Sequence, residues 1–143
     1  MKAFLAAAAA VLALAATPAL AQDSTADITF TFETGQPSGQ IMVALYDSQS
    51  AYDGGGRPVR VERVSVTATS SVVDFADLPA GDYAMRAFHD LNGDGEMSRN
   101  PFGMPTEPFA FSNNARGNMG PAGWDRAHFT VAGDTAQTIN LAQ

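Results

Sequence analysis

Cysteine is absent from the 143 residues. That excludes disulfides, thiolate nucleophiles, cysteine-held metal centres and a lipid carried on a cysteine. Lysine occurs once, at position 2, and histidine twice, at positions 89 and 128. Beyond residue 21 the permanent cations are seven arginines, set against all 15 Asp and Glu, so this part is more acidic than the whole chain's net −7. A chain so poor in positive charge lacks the electrostatic footprint of a nucleic-acid binder or an anionic-membrane binder. Long apolar runs are missing too. The exception, residues 3–16, falls short of the roughly 20 residues that span a bilayer.

That run has another use. Lys2 precedes it and Ala19-Leu20-Ala21 follows, placing small residues where signal peptidase cuts. Residues 1–21 therefore read as a secretory signal peptide removed before Gln22. Residues 22–143 read as a single domain, periplasmic or secreted, with no membrane span. A domain of about 120 residues buries roughly two-thirds of its chain surface, enough to fold without disulfides.

What is present is a succession of short alternating apolar runs separated by Gly, Pro, Asn and Asp, the pattern of an all-β domain. Ile28, Phe30 and Phe32 alternate with threonines, which predicts a half-buried strand. Ile41 to Tyr46 is apolar on both faces and predicts a central strand covered on both sides, after a turn over Gly35 to Gly39. Tyr52 to Pro58 reads as a mobile glycine-rich connection. The valines change parity near Glu62-Arg63, predicting a bulge or strand break there. Arg57, Arg60 and Arg63 read as scattered surface charges. Val72 to Phe75 and Tyr83 to Asp90 are further strands, joined through Leu78-Pro79-Ala80-Gly81-Asp82-Tyr83. That turn resembles one common in immunoglobulin-like and transthyretin-like sandwiches. Ala127 to Val131 and Thr138 to Leu141, linked by Gly133-Asp134, complete about seven strands. The expected architecture is an antiparallel β-sandwich, immunoglobulin-like or transthyretin-like, with a long irregular loop region over residues 90–124.

The segment richest in chemistry runs from Asp90 to Ser98. Oxygen-bearing side chains at Asp90, Asn92 and Asp94, followed by Gly95, follow the spacing of a calcium loop, in which alternate oxygens point at one centre. Glu96 would add a backbone carbonyl and Ser98 a water-mediated contact. Position twelve of the pattern, normally a bidentate Glu, is Pro101, and the flanks are not helical, so this is no EF-hand. Glu107 is the candidate for the missing carboxylate, which makes calcium the expected cofactor. The plain alternative is a turn in which these side chains accept backbone amides. His89 reads as a structural core residue beside the loop, since Tyr83, Met85 and Ala87 share its parity. His128 alternates away from Ala127 and Phe129, as a surface residue would. A second constellation, Asn113, Asn114 and Arg116, offers a possible binding surface. On a structural reading, these amides satisfy loop backbone while Phe102, Phe109, Phe111 and Trp124 pin the loop to the body.

Taken together, His89-Asp90-x-Asn92-Gly93-x-Gly95, Asn100, Phe102-Gly103-x-Pro105-x-Glu107 and Phe111-Ser112-Asn113-Asn114-Ala115-Arg116-Gly117 resemble the bacterial domain of unknown function family 2141. The likeness runs from the Ile41-to-Tyr46 strand to Phe129. It implies an exported, β-rich protein and no particular reaction. Where the family commonly has Asn, Lys and Asp, this chain has Asp94, Glu96 and Ser98, so its loop gains acidity and loses one ligand.

Three functions follow as expectations. The first is a non-enzymatic envelope module, steadied by calcium, that binds an envelope protein or surface polymer. The second is a hydrolase using His89, Asp90 and Glu107 as acid/base groups. The third is a carrier holding a small ligand between its sheets.

Overall fold

A computed structural model describes residues 24–141, so the expected leader lies outside the described residues. Eight strands build two facing sheets. They are β1 (Thr25–Glu33), β2 (Gln40–Tyr46), β3 (Arg60–Ser65), β4 (Ser70–Pro79), β5 (Gly81–Asp90), β6 (Phe109–Phe111), β7 (Phe129–Val131) and β8 (Thr135–Asn140). The smaller sheet has the order β4-β1-β8; the larger runs β3-β2-β5-β6, with β7 also paired to β5. The sandwich expectation holds, with one strand more than counted from the sequence. One pairing departs from the antiparallel expectation: β1 and β8 lie parallel.

Period-two patterning explains the smaller sheet. Ala26, Ile28, Phe30 and Phe32 of β1 are buried, as are Val73, Phe75 and Leu78 of β4. They face Ile41, Val43 and Leu45 of β2 and Met85 and Ala87 of β5 in one core. Phe30 sits at its centre, edge-on to Phe75 (6.2 Å) and to Phe129 (6.0 Å). The turn between β4 and β5 is locked by the Tyr83 hydroxyl, which donates to the Pro79 carbonyl at 2.7 Å.

Several local expectations are corrected. The β2–β3 register is unbroken through Glu62 and Arg63. Parity misleads because β3 is an edge strand with no buried face, and Val61 is 57% exposed. The register shift falls instead in β1–β4, between Ala26 and Ile28, where Asp77 takes a positive φ and its N–H donates to Asp27 Oδ1. The segment read as a mobile connection, Tyr52 to Pro58, starts inside a short helix, α1 (Gln49–Gly54), capped by Ser48 and ended by left-handed Gly55. Tyr52 anchors it, buried, with its hydroxyl donating to the Ala122 carbonyl at 3.0 Å.

Ala127 closes a second short helix, α2 (Trp124–Ala127), rather than opening a strand. His128 is half-buried, not a surface residue: its ring stacks on Trp124 at 5.4 Å and its Nδ1 meets the Trp124 carbonyl at 2.8 Å. The 90–124 region thus contains β6, a 3-10 turn over Ser112–Asn114 and the first residue of α2.

Phe30→Ala is expected to cost about 3–5 kcal/mol, because it empties the centre of the core. Tyr83→Phe should cost about 1 kcal/mol, the net worth of one hydrogen bond. Urea unfolding of both variants checks the ranking.

Candidate functional site

The acidic loop leaves the end of β5 and is organised around two buried carboxylates. Asp90 is fully buried. Its Oδ1 accepts the Gly93 N–H, and its Oδ2 accepts the Gly95 N–H and the Gln40 side-chain amide, at 2.7–2.8 Å. Burial alone would raise its pKa, but these donors outweigh it and hold the carboxyl below the usual range. Gly39 makes this junction possible: a Cβ there would lie 2.5 Å from the Asp90 carbonyl oxygen.

Glu107, also buried, closes the loop. One of its oxygens accepts the Leu91 N–H and the other the Ser98 N–H, both at 2.9 Å. Between them, Asp94 Oδ1 accepts the Glu96 N–H, and the Asn92 amide nitrogen donates to Asp94 Oδ2 (3.1 Å) and Ser98 Oγ (3.2 Å). Among the described residues no three His, Asp or Glu side chains form a metal-ligand group. A cation at the centre would instead meet Asp94, Ser98 and the Asn92 amide turned over to present its oxygen.

Beyond Ser98 the chain makes a small hairpin. Thr106 N donates to Ser98 O, Arg99 bridges Pro105, and the Asn100 side chain accepts the N–H groups of Phe102 and Met104. Phe102, expected to pin the loop down, stands 89% exposed at the tip of this hairpin. Phe109 and Phe111 do pack inward on the second cluster around Tyr52, Ala122 and Trp124.

Of the second constellation, Asn113 donates to the carbonyls of Arg126, Ala127 and His128 and exchanges bonds with Gln137. Asn114 donates to Thr138 O and accepts from Asn140 N, along the free side of β8. Both take left-handed φ, a conformation Asn tolerates. Arg116 is exposed, and with Asn114 it lines a small cleft of about 210 Å³.

His89, expected as a core residue, is fully buried, with Nε2 against the Ser38 carbonyl and Nδ1 lacking a partner among the described residues.

A larger feature escaped the sequence. The outer face of the larger sheet carries two cross-strand rows, Arg63–Met42–Phe88–Phe109 and Val61–Ala44–Arg86–Phe111. The cover expected for β2 is partial: Phe111 is buried and Tyr46 packs on Tyr52, while Met42 and Ala44 are only half-buried. Walled by the hairpin and by Met119 to Pro121, these rows, apart from Arg63, floor an apolar groove of about 1030 Å³. Arg86 lies in this floor, its Cζ 4.3 Å from the Tyr52 ring centre. Burial pushes the Tyr52 hydroxyl up to about 12, against the opposing pull of the Arg86 guanidinium. The sequence signal for the groove is the apolarity of both faces of β2.

These features define a two-sheet β-sandwich with a carboxylate-stapled loop and an open apolar groove. No helix among the described residues is long and apolar enough to cross a membrane. Residues 33–140 match the DUF2141 family, described as uncharacterized proteins conserved in bacteria, and the chain belongs to that family. Comparison with curated proteins and with solved structures gives no match.

Asp90 dictates a pH dependence. Its folded-state pKa is depressed, so its contribution is present above the unfolded value, about 3.9, and is lost as pH falls through the folded value. Asp90→Asn should be less stable than wild type at pH 6, with the gap narrowing toward pH 2. Chemical unfolding across that range is the measurement; a constant gap refutes the assignment.

Proposed function

We propose that the protein is an exported, non-catalytic binding module that takes an apolar ligand in the groove on the outer face of its larger sheet. The observation that carries this reading is the exposed apolar rim: Phe102 is 89%, Met104 62% and Met119 103% exposed beside that groove. Exposed apolar surface of this extent marks an interaction site. The space lies on the outer face of the larger sheet, not between the sheets where a carrier would hold its ligand. Its lining favours an apolar envelope component over a polar surface polymer.

The residues that suggest a hydrolase are poorly placed for catalysis. Asp90 and Glu107 are buried and spend their oxygens on backbone and amide N–H groups, and His89 is enclosed in the core. A general acid or base must reach the substrate proton. Export rests on the leader at residues 1–21.

An environment-sensitive naphthylamine dye should brighten when mixed with the protein. Phe102→Ser and Met119→Ser should weaken its binding severalfold with unchanged melting temperatures. Dye binding untouched by both substitutions rejects the groove.

Calcium is a second reading, favoured by the convergence of Asp94 Oδ2 and Ser98 Oγ on the Asn92 amide. With so few side-chain oxygens the site would be weak, with a Kd on the order of 0.1–1 mM. Millimolar calcium should raise the melting temperature by a few degrees over an EGTA control. Superimposable melts dispose of this reading.

A further inference from the structure

The groove is electrostatically unlike the rest of the molecule. The chain carries 15 Asp and Glu, yet among the described residues no acid lines the groove, whose charged residues are Arg86 and Arg99. Arg86 stands in the floor between Ala44 and Phe111. Its Nη2 donates to the Tyr52 carbonyl at 2.8 Å, while its Nε is buried with no partner among the described residues. Tyr52 and Tyr46 supply ring faces to the cation, but rings accept none of the guanidinium's in-plane N–H bonds. A cation set in an apolar floor without a carboxylate is complementary to an anion brought in by a ligand.

The remainder of the lining describes the rest of that ligand. Four of the six methionines, Met42, Met97, Met104 and Met119, line the groove together with Phe88 and Phe109. Unbranched, polarizable methionine side chains adapt to a flexible apolar chain. The volume, about 1030 Å³, is at the upper end of ordinary small-ligand sites, roughly 300–1,000 Å³.

We propose that the groove takes a single-chain anionic amphiphile of the fatty-acid class, its carboxylate held by Arg86 and its tail laid across Met42, Phe88 and Phe109. This rests on the groove-binding reading above and adds the charge and shape of the ligand. Arg99, at the rim, has one donor committed to the Gly103 carbonyl and supplies further positive potential.

The test is titration calorimetry of the full chain with dodecanoate, dodecanol and dodecyltrimethylammonium below their aggregation concentrations. Dodecanoate should bind about 10- to 100-fold more tightly than dodecanol, the range expected of a charge-assisted hydrogen bond, and the cationic amphiphile most weakly. Arg86→Met, which keeps an apolar stem, should equalise the acid and the alcohol. Because Arg86 also rests on Tyr52, Phe102→Ser serves as the variant that leaves the body undisturbed; it should weaken acid and alcohol by the same factor. Equal binding of dodecanoate and dodecanol to the wild type overturns the anionic ligand while leaving an apolar groove. Failure of all three to bind overturns the groove reading as well. Binding of an apolar peptide in place of every amphiphile assigns the surface to a protein partner and overturns the proposal.

Discussion

The carboxylate of Glu107 is the contact on which the irregular part of this molecule depends. It accepts one amide from Leu91, at the start of the acidic loop, and one from Ser98, at its end. Both oxygens are thereby used to draw together two points of chain that would otherwise carry unsatisfied N–H groups. Asp90 does the same one turn earlier, gathering Gly93, Gly95 and the Gln40 side chain. Two carboxylates are buried here, and each accepts N–H donors on both of its oxygens.

Mechanical consequences extend from that staple. At the tip of the hairpin that follows Ser98, Phe102 stands almost fully exposed among the described residues. Its position is set from its root, by Glu107 below and by the Asn100 side chain within. The acidic loop therefore acts as a bracket that carries an apolar arm beside an apolar sheet face. Chemistry-bearing residues and greasy residues, which look like separate features along the chain, belong to one construction.

Strands with one wet and one dry face were legible from alternation, as β1 shows with Ile28, Phe30 and Phe32. The Asp90-to-Ser98 segment and Glu107 were legible as one group of oxygens, but Glu107's role as acceptor of the Leu91 and Ser98 amides was not. Period-two reasoning fails where both faces of a strand are wet, as in β3, or both are apolar, as in β2. In the second case the pattern cannot distinguish a face covered by protein from one left open. Arg86 was illegible for a related reason: a lone arginine in a strand does not disclose whether a carboxylate will fold against it. The short helices were missed because their anchors are distant in sequence, Tyr52 reaching Ala122 and Trp124 N–H reaching Asp53.

Asn114 has a role that reaches beyond its own loop. A β-strand at the margin of a sheet offers N–H and C=O groups to any extended chain that drifts alongside. On β8 the Thr138 carbonyl and the Asn140 amide are already taken by the two ends of one side-chain amide. That carboxamide imitates a single residue of a neighbouring strand and then stops, because a side chain cannot continue a ladder. The margin is blocked at that point without the sheet growing. The protein thereby reduces the chance of self-assembly into fibres through this edge of its backbone.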